Sequence, residues 1–238
     1  RQFMRCRDLF TSELDIVPGK ETNVLYQRIH DAEFSVDPEQ TFLSPTNLPR
    51  SLSSFVGRKS EIRELAETIV DTPLITLTGP GGTGKTHLAI EVSSRVIEKF
   101  PGGVWFSEMA GLSDPGHIPG TVAADLNIQP DKDIQVSDAL IQRLSGRRTL
   151  LVLDNCEHLI DACADFAQIL LGRCIELRIL ATSRERLRIP GEMVFIVPPL
   201  GLLSSVTSYS RLEEVRECEA IRLFAERARL RVQGFEIS

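Results

Sequence analysis

The chain has 238 residues, 25% charged and 42% hydrophobic, with a formal charge of −6 and a pI near 5.4. That length allows one domain with a sizeable core plus a short helical extension, not two complete large domains. The acidic balance and the lack of a basic cluster interleaved with aromatics argue against direct nucleic-acid binding, and no apolar run approaches the roughly 18 residues of a membrane span.

At the amino end, Phe3, Cys6, Phe10 and Leu14 fall on one helical face, and Pro18-Gly19 breaks that helix before Glu21 starts a second. Residues 33 to 54 are rich in Pro, Ser, Thr and Asn, with Pro38, Pro45 and Pro49, and show no sustained apolar period; they read as a linker. Ile62, Leu65, Ala66 and Ile69 then recur at i, i+3, i+4, i+7, the buried stripe of a helix. Apolar runs near 74 to 78, 103 to 107, 149 to 153, 177 to 181 and 193 to 197 predict strands alternating with helices. Such alternation argues for an α/β fold, a three-layer αβα arrangement with a parallel sheet covered on both faces. The stretch 109 to 130 is hard to read, because Pro115, Pro119 and several glycines interrupt any helix. From Glu219 to Leu230 helical spacing returns through Ile221, Phe224, Ala225 and Ala228.

The first chemistry-bearing motif is Gly79-Pro80-Gly81-Gly82-Thr83-Gly84-Lys85-Thr86, a complete G-x-x-x-x-G-K-[ST] phosphate loop between a strand and the helix that runs on from His87. Glycines at these positions let backbone N–H groups turn inward around a polyphosphate, where side chains would obstruct the approach. Lys85 then faces the β and γ phosphates, and the Thr86 hydroxyl is the expected protein ligand of Mg²⁺.

Magnesium also needs a carboxylate at the end of another buried strand, and Thr149 to Leu153 runs into Asp154. Alone, a strand-end Asp is usually a helix N-cap, here of the helix carrying Leu159, Ile160, Cys163, Phe166, Ala167 and Leu170; beside a phosphate loop, the metal reading of Asp154 is preferred. The next residue is Asn155, where a vigorous ATPase places a second carboxylate to activate water. An amide cannot accept a proton at neutral pH, so slow turnover is expected unless Glu157 or His158 substitutes; both read as solvent-facing residues at a helix start. The run Leu177 to Ala181 ends in Thr182-Ser183-Arg184, placing a cation at the same sheet edge as Lys85 and Asp154 if the strands are parallel. By spacing, Arg184 is either a γ-phosphate sensor or an ordinary surface arginine beside Arg186 and Arg188.

Four motifs occur in one order: FVGRKSEI at 55 to 62, LTGPGGTGKTHLA at 77 to 89, LLVLDNCEHL at 150 to 159 and LRILATSRERL at 177 to 187. Together they resemble the AP-ATPase (NB-ARC-like) branch of the signal-transduction ATPases with numerous domains, as found in large bacterial transcriptional regulators. The resemblance implies an ASCE-type P-loop fold with short all-α flanking segments, in which the sensor strand lies between the Walker A and Walker B strands. It implies that Val56, Gly57 and Arg58 lie against adenine, that residues 79 to 87 hold phosphates, and that Thr86 and Asp154 hold the metal. Lys85, Asp154 and Arg184 then carry whatever catalysis occurs, with Arg184 as the sensor.

Residues 5 to 29 are similar to the last helices of a bacterial transcriptional activator domain, which sets the expected organisation: 1–32 a TPR-like helical tail, 33–54 a linker, 55–212 the nucleotide-binding domain, and 213–238 the start of a helical domain that closes over the nucleotide. A chain that opens on Arg1 inside an amphipathic pattern, and stops soon after a new helix begins, is expected to be a fragment. Five cysteines without a C-x-x-C pair read as reduced thiols of a cytoplasmic protein, and four scattered histidines argue against structural zinc. With no N-K-x-D guanine motif, adenine is favoured. The expected ligands are ATP or ADP with Mg²⁺, and the expected function is a slowly hydrolysing regulatory switch; the alternative is a faster P-loop ATPase or kinase. DNA binding is expected in another part of a longer parent, which would self-associate in a nucleotide-dependent way.

Overall fold

The computed structural model describes residues 44–50, 55–129, 134–201, 218–229, 231–232 and 235. The chain divides into two units between Leu43 and Ser44, and all described residues belong to the second. The helical tail expected over 1–32 lies outside them.

Five strands, β1 (Leu74–Thr78), β2 (Val104–Glu108), β3 (Thr149–Asp154), β4 (Leu177–Ser183) and β5 (Glu192–Ile196), form one sheet in the order β2-β3-β4-β1-β5, with every pairing parallel. The helices are α1 (Lys59–Thr68), α2 (Lys85–Arg95), α3 (Ile118–Asp125), α4 (Val136–Leu144), α5 (Ile160–Arg173) and α6 (Glu219–Arg229). β1 and β3 are buried at every residue, as continuous apolar runs in a sheet covered on both faces must be. Alternation along the pleat divides the core. Leu150 and Val152 of β3 face the cluster built with Ile62, Leu65, Leu88 and Val92 of α1 and α2; Leu151 and Leu153 face Val122, Leu140, Phe166 and Leu170 of α3, α4 and α5. The chain therefore adopts the three-layer α/β fold, and β4 stands between β3 and β1, so that the ends of the three strands carrying the motifs are neighbours.

The stretch 109 to 130 is more regular than its prolines suggest. A 3₁₀ turn, Pro115–His117, leads directly into α3, and Pro119 sits in the first turn of that helix. A first-turn N–H has no intrahelical partner to lose, so proline there opens a helix instead of breaking it. The Asp114 side chain caps the turn by accepting from Gly116 N at 2.9 Å.

Part of the expected linker is built into the domain. Thr46 forms a parallel bridge with Val104, and Val104 N donates to Pro45 O at 3.0 Å. Asn47 Oδ1 accepts from Phe106 N at 2.6 Å while its Nδ2 donates to Phe106 O at 2.8 Å, so one amide side chain satisfies both backbone groups of an edge residue. No apolar period announces this contact because it is made by backbone and a single amide. Asn47→Ala removes both bonds and reopens the β2 edge; a loss of about 1 to 2 kcal/mol is expected, read as a lower urea midpoint with unchanged slope.

Candidate nucleotide-binding site

The loop after β1 takes positive φ at Gly82 (80°) and Gly84 (86°), a region that residues with a Cβ avoid. Gly84 is the N-cap of α2 and no side chain caps that end, so the first-turn N–H groups of the helix are offered to an anion. Lys85 is buried to 9% exposure, and its Nζ donates to Gly79 O at 2.9 Å and Pro80 O at 3.1 Å. Those two carbonyls satisfy the buried ammonium and leave one of its three donors available. Thr86 follows in the same helical turn, half-buried.

At the end of β3, Asp154 is 4% exposed, and its Oδ1 accepts from Thr182 Oγ1 at 2.6 Å. The same Thr182 hydroxyl accepts from Asn155 N at 2.9 Å. Asp154 caps no helix: the short turn Cys156–His158 has Asn155 at its N-cap, and α5 has Leu159. Its Oδ2 has no hydrogen-bond partner among the described residues. A free carboxylate oxygen and a threonine hydroxyl are hard oxygen donors of the kind Mg²⁺ selects, although no group of three or more His, Cys, Asp or Glu gathers for a metal among the described residues. Arg184, one residue past β4, donates from Nε to Glu157 Oε1 at 3.2 Å. Glu157, expected to face solvent, has a side chain only 20% exposed because this arginine and Asn155 cover it. His158 is exposed, with Nε2 3.0 Å from Leu112 O.

A cavity of about 510 Å³ opens beside the loop, lined by Phe55, Val56, Arg58, Gly81, Gly82, Thr83, Gly84, His87, Pro199, Leu200 and, from α6, Ala220, Leu223 and Arg227. Arg58 ties this wall together. Its guanidinium is buried, and Nη2 donates to Thr83 O and Pro198 O, each at 2.7 Å. Its backbone N donates to Glu219 Oε1 at 2.9 Å. Nη1 is a buried donor with no hydrogen-bond partner, the nearest carboxylate oxygen, Glu61 Oε1, standing 3.9 Å away.

Among the residues singled out from sequence, Val56, Arg58, Gly81, Gly82, Thr83, Gly84 and His87 share this wall; Gly79, Pro80, Lys85, Thr86, Asp154 and Arg184 do not, and stand instead along the loop and the adjoining strand ends. Gly57 lies against the Glu219 carboxylate rather than on the cavity. Thr182, Glu157, Glu219, Leu223 and Arg227 were not singled out as site residues. Ala220, Leu223 and Arg227 recur at i, i+3, i+7, a helical stripe beside the more apolar one that includes Phe224, yet Phe224 is 64% exposed and meets Phe235 edge-on. Cys156, Cys163 and Cys174 are buried free thiols and Cys218 is a half-buried one. The neighbouring Cys163 side chain and burial together push the Cys156 thiol well above its usual range, which removes it from nucleophilic chemistry at neutral pH.

Residues 58–193 match the NB-ARC domain. The chain is 36% identical over 189 residues to "Uncharacterized protein Rv0894" of Mycobacterium tuberculosis, covering 79% of this chain and 44% of that protein. It is 39% identical over 165 residues to "Putative HTH-type transcriptional regulator Rv0890c" of the same organism, covering 69% and 17%, and 31% identical over 175 residues to "Regulatory protein AfsR" of Streptomyces coelicolor, covering 63% and 18%. The chain thus spans less than half the length of these curated relatives. With a phosphate loop, a strand-end aspartate and a strand-end arginine on neighbouring parallel strands, and a family match across all three, this chain belongs to the NB-ARC family of P-loop nucleotide-binding domains.

Proposed function

We propose that this chain is the ATP/ADP-binding switch module of a multidomain transcriptional regulator, with slow Mg²⁺-dependent hydrolysis that resets it. The observation that carries this reading is the shared wall of the cavity: the phosphate loop, the Val56 to Arg58 segment and α6 all border it, and Arg58 bonds its own segment to the other two through Thr83 and Glu219. A ligand in that cavity would touch both the ATPase core and the first helix of the extension, which is what coupling between nucleotide state and domain arrangement requires.

In this reading the first-turn N–H groups of α2 and the Lys85 ammonium bind the phosphates, and the wall formed by Phe55, Val56 and Arg58 receives the base. Thr86 and Asp154 would hold Mg²⁺, with Thr182 fixing the aspartate's orientation; the ion would neutralise charge on the phosphate oxygens. Asn155 provides no base for water. Swinging a population from 1:99 to 99:1 needs about 5.5 kcal/mol of differential binding, whereas one charge-assisted hydrogen bond contributes about 1.5 to 3 kcal/mol. Several contacts must therefore act together, and the α6 wall supplies some of them. The domain limits (1–32, 33–54 with residues 45–47 bonded to the β2 edge, 55–212, 213–238), a cytoplasmic location, DNA binding by a different segment and nucleotide-dependent self-association of the parent belong to the same proposal; the names of the regulator relatives support DNA binding by another segment.

The nucleotide released on denaturing freshly purified protein tests the reading: ADP near one equivalent per chain is expected, and Lys85→Ala should weaken binding by about 10- to 100-fold through loss of a charged donor. An equivalent of guanine nucleotide, or full retention in Lys85→Ala, would sink it. Gly57 tests the tie to α6. It has φ +81°, and a Cβ there would stand 2.5 Å from the Glu219 carboxyl carbon. Gly57→Ala strains the left-handed backbone at 57 and pushes the Glu219 carboxylate off the Arg58 N–H, which should untie α6 from this segment and cost roughly ten-fold in nucleotide affinity, equivalent to about 1.4 kcal/mol, measured by titration calorimetry.

A further inference from the structure

The ends of β3 and β4 carry a chain of contacts that neither nucleotide binding nor metal binding accounts for. Asn155 has φ 65°, a left-handed conformation that Asn tolerates better than most residues, and its backbone N–H is fixed by Thr182. With its nitrogen turned toward Glu157, the Asn155 amide donates to both carboxylate oxygens, at 3.0 and 3.2 Å. Glu157 Oε1 in turn accepts from Arg184 Nε at 3.2 Å. At the other end of the same guanidinium, Nη2 lies 3.7 Å from the point a Cβ on Gly81 would occupy, so this arginine already borders the phosphate loop. A guanidinium is planar and rigid, and fixing Nε fixes where its Nη edge points. The Arg184 side chain is otherwise 68% exposed and long enough to sample many directions.

We propose that Glu157 is a positioning residue that aims Arg184 at the terminal phosphate of a nucleoside triphosphate, and that Asn155 is the donor that holds Glu157 in place. This rests on the nucleotide-switch reading above and says what its strand-end residues are built to do: distinguish triphosphate from diphosphate. It also explains the amide at 155. An aspartate there would set two carboxylates about 3 Å apart, repelling each other and releasing Arg184. The Glu157 oxygens are directed at Asn155 and Arg184, so this carboxylate is spoken for as an acceptor and does not stand in for the missing base.

The test is the ratio of affinities for a non-hydrolysable ATP analogue and for ADP, both with Mg²⁺, in four variants of this chain. Arg184→Ala should reduce the triphosphate preference by roughly ten-fold or more, since a charge-assisted contact is removed. Glu157→Gln and Asn155→Asp should each reduce it by about three-fold, the size of an exposed ion pair, with ADP affinity unchanged as the control for folding. In the double variant Glu157→Gln with Arg184→Ala, the glutamate change should have no further effect, because it acts only through the arginine. If Arg184→Ala shifts the ratio and neither Glu157→Gln nor Asn155→Asp does, the positioning role is overturned while the sensor reading survives. If Arg184→Ala leaves the ratio unchanged, both fall. A ratio that rises in Glu157→Gln would make Glu157 a competitor of phosphate for Arg184, and hydrolysis abolished at an unchanged ratio would make it the catalytic base; each overturns the proposal.

Discussion

A buried guanidinium sets the terms for the rest of the site. Arg58 is 4% exposed, and a charge so placed is tolerable only where its donors meet acceptors. It is also in the left-handed region, φ 55°, at the N-cap of α1, a conformation that costs a non-glycine residue about 1 kcal/mol. What offsets both costs is a set of bonds to three separate stretches of chain: Thr83 in the phosphate loop, Pro198 after β5, and Glu219 at the start of α6. None of these stretches is close to another in sequence. Moving any one of them leaves a buried donor unpaired, so the loop, the edge strand's exit and the helical extension are constrained to move together or not at all.

The sheet supplies the second constraint. With β4 between β3 and β1, the carboxylate of Asp154, the hydroxyl of Thr182 and the guanidinium of Arg184 are delivered by neighbouring strand ends to the side of the loop where Lys85 begins α2. The right-handed crossovers of a parallel sheet make this sequence-distant grouping a consequence of topology rather than of any local signal. Thr182 shows how economically it is used. One hydroxyl orients the Asp154 carboxylate and pins the Asn155 backbone, so the aspartate and the amide that follows it cannot be adjusted independently.

Much of this was legible in the sequence, and the reasons it was differ from element to element. β1, β3 and β4 read clearly because a doubly covered strand is mostly apolar along its length, and the phosphate loop reads clearly because its glycines are demanded by backbone geometry. α6 was legible as a helix but not in its facing: apolar periodicity pointed to the stripe containing Phe224, whereas Ala220, Leu223 and Arg227 line the cavity. The 109 to 130 stretch is obscure in sequence because proline breaks a helix interior but opens a first turn, and linear spacing does not say which position it occupies. Asn47 gave no signal at all, since an amide mimicking a strand partner leaves no period.

Glu157 was the instructive omission. Counted from the strand end it looked like a solvent-facing helix residue, and from the lack of a base at 155 it looked like a substitute one. Its actual surroundings, an amide on one side and an arginine on the other, follow from two features that no linear pattern combines: the left-handed turn at Asn155, which starts the Cys156–His158 turn, and the strand order, which brings Arg184 alongside. Where a fast hydrolase places a carboxylate to act on water, this fold places an amide to hold a carboxylate. On the proposed reading, that one polar group changes what the strand end is for, from driving turnover to reading the nucleotide, and a domain that acts through its conformation would gain more from the second than from the first.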